Sequence, residues 1–289
     1  MLKASELILN SRGAVYHLDM LPEELADTVF FVGDPDRVPK VSKYFDSIES
    51  KQQHREFVSH TGYIGNKRYT VLSTGIGPDN IDIVLNELDA LTSINLKTRE
   101  FLPERRILRI IRIGTSGSLQ ADIPVDSYVV SEFALGTDGV MNYYPFDANE
   151  AEKQILTRFL AENNYPSDLA KPYVVAGNDE LIRALTVNAH KGITITAPGF
   201  YAPQGRQLRV PLKYPNLFDT FQNWEMKNIR VTNFEMETSM IYGLSSLFGH
   251  KACSISAIVA NRANGTFSTQ SDITIDNLIR YTLEIVHNS

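Results

Sequence analysis

Cysteine is nearly absent: the chain carries one, Cys253, in 289 residues. No intrachain disulfide can form, which suits a reducing compartment. Its surroundings, KACSISAIVA, are apolar and read as inert core packing rather than nucleophilic work. An excess of basic charge is also missing. Lys and Arg number 28 against 34 Asp and Glu, and the resulting charge of -6 has the wrong sign for a nucleic-acid surface. A small basic pocket inside an acidic chain is still allowed. No run is long and apolar enough to span a bilayer, and Glu6 interrupts the short apolar stretch of MLKASELIL, so neither a membrane anchor nor a signal peptide is expected. The cytoplasm is the expected location. The fingerprints GxGxxG, GxxxxGK(S/T) and GxSxG do not occur, which weakens dinucleotide, P-loop and serine-hydrolase readings. Six histidines are scattered without zinc-ligand spacing, so neither a metal centre nor a cofactor is expected.

Glycine turns are present where they matter. Three β-rich apolar runs each end in one: TVFFVGDPDRV (Thr28–Val38), YTVLSTGIGPDN (Tyr69–Asn80) and ILRIIRIGTSGS (Ile107–Ser118). Such turns let backbone N–H groups approach a ligand, and Arg37, Thr74, Arg112, Thr115 and Ser116 lie in or beside them. In an open parallel sheet, loops at the carboxyl ends of strands share one crevice. Two arginines and several hydroxyls meeting there suit an oxyanion.

The remaining pattern alternates strand and helix. Strands are expected at Thr28–Val32, Tyr69–Ser73, Ile107–Ile113, Ser127–Phe133, Tyr173–Ala176, Gly192–Thr196, Ile229–Asn233 and Ala252–Ala260. Helices are expected after Pro35, after Asn80 as N-cap, and over Glu150–Asn163, Asp179–His190, Thr238–Phe248 and Ile275–His287. Alternation of this kind implies an α/β/α sandwich around a central mixed, largely parallel sheet, with residues 1–289 forming one domain. The charged stretch Lys97–Arg106 reads as a solvated insertion.

Each motif carries a plain structural reading beside the functional one. Gly33-Asp34-Pro35-Asp36-Arg37 is either a ligand loop or a tight connection whose Asp36 caps the next helix. Arg112 sits inside an apolar strand, and a buried guanidinium needs an anion, from a ligand or from a protein carboxylate. Asn233-Phe234-Glu235-Met236-Glu237-Thr238 places two carboxylates at a strand-to-helix junction. Glu237 near the helix start either merely favours the dipole, or one of the two carboxylates accepts hydrogen bonds from vicinal sugar hydroxyls, with Met236 packing on the sugar's apolar face. In Gly199–Arg206, Phe200 offers a stacking surface, Gln204 a donor and an acceptor, and Arg206 a charged fork. Together these three suit a planar heterocycle with an imide edge.

In combination the motifs resemble the uridine phosphorylases of the nucleoside phosphorylase superfamily. The resemblance runs through GDPDRV at Gly33–Val38, HREF at His54–Phe57, STGIG at Ser73–Gly77, RIGTSG at Arg112–Gly117, NFEMET at Asn233–Thr238 and IVANR at Ile258–Arg262. The FYxxQxR pattern at Phe200–Arg206 resembles the loop that reads uracil. The resemblance implies phosphorolysis of uridine, and of deoxyuridine or thymidine in some relatives, with inorganic phosphate as co-substrate and no other cofactor. It implies phosphate binding by Gly33, Arg37, Arg112 and Thr115, with Arg55 from a neighbouring subunit. Ribose would be held by Met236, Glu237 and the neighbour's His17, and uracil by Gln204, Arg206 and Phe200. It further implies a homodimer with shared sites, in some relatives a hexamer of three dimers, and a monovalent cation near Glu56. Asn261, Arg262 and Ala263 stand where purine-specific relatives carry an aspartate, which favours pyrimidines. This chain departs from the family pattern at Pro203, at Pro78-Asp79-Asn80 and in the longer Lys97–Arg106 stretch. A purine nucleoside phosphorylase, a nucleosidase using water and a non-catalytic nucleoside-binding protein are the alternatives.

Overall fold

The computed structural model describes residues 2–289. In chain order the strands are β1 (Thr28–Val32), β2 (Ser47–His54), β3 (Phe57–Ile64), β4 (Lys67–Ser73), β5 (Ile94–Asn95), β6 (Glu100–Phe101) and β7 (Arg109–Ser118). They continue with β8 (Tyr128–Gly136), β9 (Tyr173–Ala176), β10 (His190–Thr196), β11 (Glu225–Met226), β12 (Ile229–Glu235), β13 (Lys251–Asn261) and β14 (Thr266–Phe267). The helices are α1 (Arg37–Ser42), α2 (Pro78–Ser93), α3 (Glu150–Glu162), α4 (Asp179–Leu185), α5 (Leu217–Asn223), α6 (Thr238–Phe248) and α7 (Ser271–Asn288).

The main path of the large sheet runs β11-β12-β10-β8-β13-β7-β1-β4-β3-β2. Strands β13, β7, β1 and β4 are parallel, as are β8, β10 and β12, and an antiparallel β13–β8 pairing joins the two groups. Apolar side chains cover both faces of the first group. Val29, Phe31 and Leu72 enter a cluster with α2 and α6, while Phe30, Val71 and Ile111 enter another with α7. The mixed sheet with helices on its two faces is therefore as expected. One pairing was not legible in the sequence. Near its carboxyl end β12 pairs antiparallel with β7, Asn233 opposite Ser118 and Phe234 opposite Gly117. That contact closes β7, β13, β8, β10 and β12 into a ring and brings the Glu235–Glu237 junction against the end of β7.

Several local expectations are corrected. The run Ile107–Ile113 does not turn at Gly114; β7 continues through Ser118 because β13 pairs with it over that whole length. Helix α2 is capped by Gly77 at φ 103° with Pro78 in its first turn, so Asn80 is inside the helix. Asp36 occupies the N-cap of α1 without a side-chain cap, and Asp34 instead accepts from the Asp36 N–H at 2.9 Å. Helix α4 stops at Leu185, since His190 already belongs to β10. The β2–β3 hairpin and α5 were not expected. The Lys97–Arg106 stretch contains β6, which pairs back onto β5, and Arg99 and Arg106 bond the main-chain oxygens of Leu7, Leu25 and Pro22, so it is tied to the N-terminal segment as well as wet.

Behind the sheet, His250 is a buried neutral histidine. Its Nδ1 accepts from the Leu108 N–H at 3.2 Å, which puts the proton on Nε2, 3.6 Å from Asp89. Burial, helped by the Arg105 charge, pushes its pKa down to about 4. The unfolded chain therefore binds the extra proton first. Stability from this group is complete above about pH 6.5 and is lost as pH falls toward 4, roughly 3 kcal/mol in all. Urea midpoints measured across that window should fall more steeply for wild type than for His250→Asn.

Candidate active site

The carboxyl ends of β1, β4, β7 and β13 open beside the β7–β12 closure. A cavity of about 720 Å³ lies there. It is lined by Gly33, Arg37, Arg112, Thr115, Phe200, Gln204, Arg206, Met236 and Glu237, all candidates from the sequence, and by Glu56. His17 and Arg55 do not line it. Thr74 is also absent: its hydroxyl is turned onto the main-chain oxygens of Val32 and Gly75.

One end of the cavity is cationic. Arg37, at the start of α1, donates from Nη1 to the Ile113 oxygen at 3.3 Å. Arg112 rises from β7, where Gly114 leaves it room; a Cβ at Gly114 would fall 1.8 Å from Arg112 Nη1. Burial and then the charge of Arg112 lower the pKa of Arg37. Two guanidinium groups held against their mutual repulsion are a site that an anion stabilises. Thr115 lies beside them, and the Ser116 hydroxyl is fixed by Asn233 Nδ2 at 3.0 Å.

The two carboxylates of the β12–α6 junction divide their work. Glu235 turns back onto the helix start, accepting from the N–H groups of Glu237 at 2.8 Å and Thr238 at 2.9 Å, and from the Thr196 hydroxyl at 2.6 Å. The dipole-favouring reading proposed for Glu237 therefore belongs to Glu235. Glu237 faces the cavity, accepts from the Gly77 N–H at 2.9 Å and bonds Arg112 Nη2. Burial opposes the Arg112 charge, but Glu237 and Glu235 more than offset it and the guanidinium pKa is raised. Burial pushes Glu237 upward against the pull of Arg112. Arg112 thus has protein carboxylates as partners and still lines the open cavity.

The other end is formed by the Phe200–Arg206 loop. Arg206 lies over the Phe200 ring, its guanidinium carbon 3.8 Å from the centroid, and donates to the Phe200 oxygen at 2.8 Å and to Gln204 Oε1. Stacking and two hydrogen bonds from Nη1 hold the guanidinium in place. Burial lowers the Arg206 pKa. The sequence reading missed Arg262 as a contact. It donates to the main-chain oxygens of Gln204 and Gly205, pinning the loop from β13, and its guanidinium carbon sits 4.0 Å over Phe218. The only signal was its place in IVANR at the end of a buried strand.

His17 is half-buried and Arg55 exposed, and the two are linked only through His54, the neighbour of Arg55. His17 Nδ1 pairs with Glu87 at 2.7 Å, and the His54 ring meets the His17 oxygen at 3.1 Å. Arg55 is exposed at φ 55°, in the turn between β2 and β3. Non-glycine residues rarely adopt that backbone, and such strain concentrates at functional sites.

Among the described residues, no group of three or more His, Cys, Asp or Glu side chains is arranged to hold a metal ion. No helix among them is long and apolar enough to cross a membrane.

A profile of the phosphorylase superfamily matches residues 27–285 of this sequence. The chain belongs to the phosphorylase superfamily. Within that superfamily it is 30% identical over 258 residues to a uridine phosphorylase of Thermococcus kodakarensis, covering 88% of this chain and 80% of that one. It is 28% identical to the uridine phosphorylase of Haemophilus influenzae, covering 93% of each. A Trypanosoma brucei nucleoside phosphorylase with uridine phosphorylase activity superposes with a TM-score of 0.88 at 28% identity, covering 98% of this chain and 100% of the other.

Proposed function

We propose that this member of the superfamily is a pentosyltransferase that cleaves uridine with inorganic phosphate, giving uracil and α-ribose 1-phosphate. The observation that carries the reading is one cavity with Arg37, Arg112 and Thr115 at one end and Phe200, Gln204 and Arg206 at the other, with Met236 and Glu237 among its walls. Uridine phosphorylase relatives over nearly the whole chain support the same reading.

Phosphate sits between Arg37 and Arg112, within reach of Thr115 and the Gly33 backbone. Glu237 accepts hydrogen bonds from the ribose hydroxyls and Met236 packs on the sugar. As the C1′–N1 bond breaks, its electron pair leaves with uracil and positive charge builds on the ribose, as in glycoside cleavage. The phosphate dianion stabilises that charge, and one of its oxygens forms the new bond to C1′. Negative charge spreads onto the uracil carbonyl oxygens, where Arg206 and the Gln204 amide donate. Donors already aimed at developing charge are usually the largest catalytic contribution. No protein nucleophile takes part. The chain acts as one domain in the cytoplasm, with phosphate as its co-substrate and a nucleoside as its partner.

The test is phosphate-dependent base release from uridine, thymidine, deoxyuridine, cytidine and inosine. Uridine should lead. Cytidine should be poor, because its amino group leaves donors of the base loop facing a donor. Efficient inosine cleavage, or cleavage without phosphate, moves the chain to another branch of the superfamily.

Shared sites complete the reading: His17 and Arg55 of one subunit serve the cavity of a second in a homodimer, or in a hexamer built from three dimers. Ile76 and Phe267, exposed on the cavity lining, are apolar surface that a second copy would cover. A monovalent cation near Glu56 belongs to the same assembly. Mixing inactive His17→Ala and Arg206→Ala subunits and refolding them together should restore activity, since each mixed dimer holds one intact site. Mixed preparations as inactive as either parent would remove the shared-site reading.

A further inference from the structure

At the opposite ends of the same strands, where β1, β4 and β7 begin, lies a second cavity of about 330 Å³. Thr28 pairs with both Tyr69 and Arg109 there, which brings Lys67 and Arg68 of β4, Arg109 of β7 and Arg106 from the segment before β7 to one hollow. Asp27 is the one acidic residue lining it. In a chain of net charge -6 this local excess of cations stands out.

Two of the four are already placed by the fold. Arg68 bonds Glu49 at 2.7 Å and the main-chain oxygens of Leu25 and Glu23, and Arg106 bonds the oxygens of Leu25 and Pro22 with Asp27 at 3.5 Å. Those bonds fix both side chains along the wall of the hollow, with part of their charge met by Glu49 and Asp27. Lys67 and Arg109 have no Asp or Glu partner among the described residues. Lys67 Nζ donates to the oxygens of His287 and Ser289, and Arg109 Nη2 to the Ser289 hydroxyl at 2.8 Å. Arg109 Nε is buried and has no hydrogen-bond partner in the fold. Such an orphaned donor on a charged side chain costs free energy and marks Arg109 as the least satisfied of the four.

We propose that this hollow binds a small phosphate-type oxyanion, with Arg109 and Lys67 as its principal donors and Arg68 and Arg106 supplying fixed positive charge. A planar guanidinium and an ammonium, each keeping at least one donor that the fold does not use, suit a tetrahedral oxyanion, and the hollow has room for a phosphate or a phosphomonoester head. The site is separate from the cavity at the carboxyl ends, and the proposal stands whether or not that cavity cleaves uridine.

Equilibrium dialysis with radiolabelled inorganic phosphate tests it. Arg37→Ala chain should still bind phosphate, and adding Arg109→Gln or Lys67→Gln should weaken that binding at least tenfold. Arg109→Lys, which keeps the charge, should retain much of it and shows that loss is not misfolding. Arg109→Gln alone should leave the phosphate KM of turnover within twofold of wild type. Displacement of label from Arg37→Ala chain by ribose 5-phosphate assigns the site to phosphomonoesters, and displacement by pyrophosphate alone assigns it to free inorganic ions. The proposal is overturned if Arg37→Ala removes all bound phosphate, if the Gln variants leave binding unchanged, or if neither competitor displaces the label.

Discussion

Arg206→Ala is expected to lower kcat for uridine about 10²–10³-fold, the usual cost of deleting one preorganised donor to a developing anion. The structure gives the reason. Arg206 is held by the Phe200 ring, the Phe200 oxygen and Gln204 Oε1, so its fork is set before the base carries charge. Gln204 Oε1 is occupied by Arg206, which leaves the Gln204 amide NH2 to donate to the base. Removing Arg206 loses both a donor and the element that orients Gln204, so KM should rise as well. Arg206→Lys should recover little, because an ammonium cannot stack and fork at once. Full turnover in Arg206→Ala would mean the leaving base is stabilised elsewhere.

Arg112→Met should be the most damaging change to the fold near the site. It strands Glu237, which keeps only the Gly77 N–H among its present partners, and leaves it buried. Breaking a buried pair by removing one member costs on the order of 3–5 kcal/mol. The double variant Arg112→Met with Glu237→Gln should win back a good part of that, since the uncompensated charge is gone, yet neither variant should bind phosphate normally. Urea unfolding at neutral pH measures both. A cost below about 1 kcal/mol for the single change would place this pair with surface ion pairs and contradict the burial argument.

Much of the framework was legible because it rests on local rules. The strand Thr28–Val32 and helix Thr238–Phe248 have the bounds that apolar runs and turn residues imply. What escaped was set by partners distant in sequence. Gly114–Ser118 looks like a turn in isolation, yet β13 pairs beside it and keeps it extended. Strand β2, SIESKQQH, has almost no apolar residues to announce it, because its side chains are exposed or only half-buried. The phosphate and base candidates were readable from residue type: isolated arginines in apolar or glycine-rich settings, and a Phe-Gln-Arg loop. The division between Glu235 and Glu237 was not, since both carboxylates occupy one short motif and only the fold decides which caps the helix. Arg262 was hidden for a similar reason. Its contacts are main-chain oxygens some 57 residues away in sequence, and no pattern encodes that pairing.

The central claim is that guanidinium groups hold a phosphate which itself attacks the sugar. The direct measurement is mass analysis of the products when uridine is cleaved with uniformly ¹⁸O-labelled phosphate. Ribose 1-phosphate retaining all of the label, formed in step with uracil, is the predicted result. Free ribose carrying solvent oxygen, or uracil release indifferent to phosphate, would contradict it.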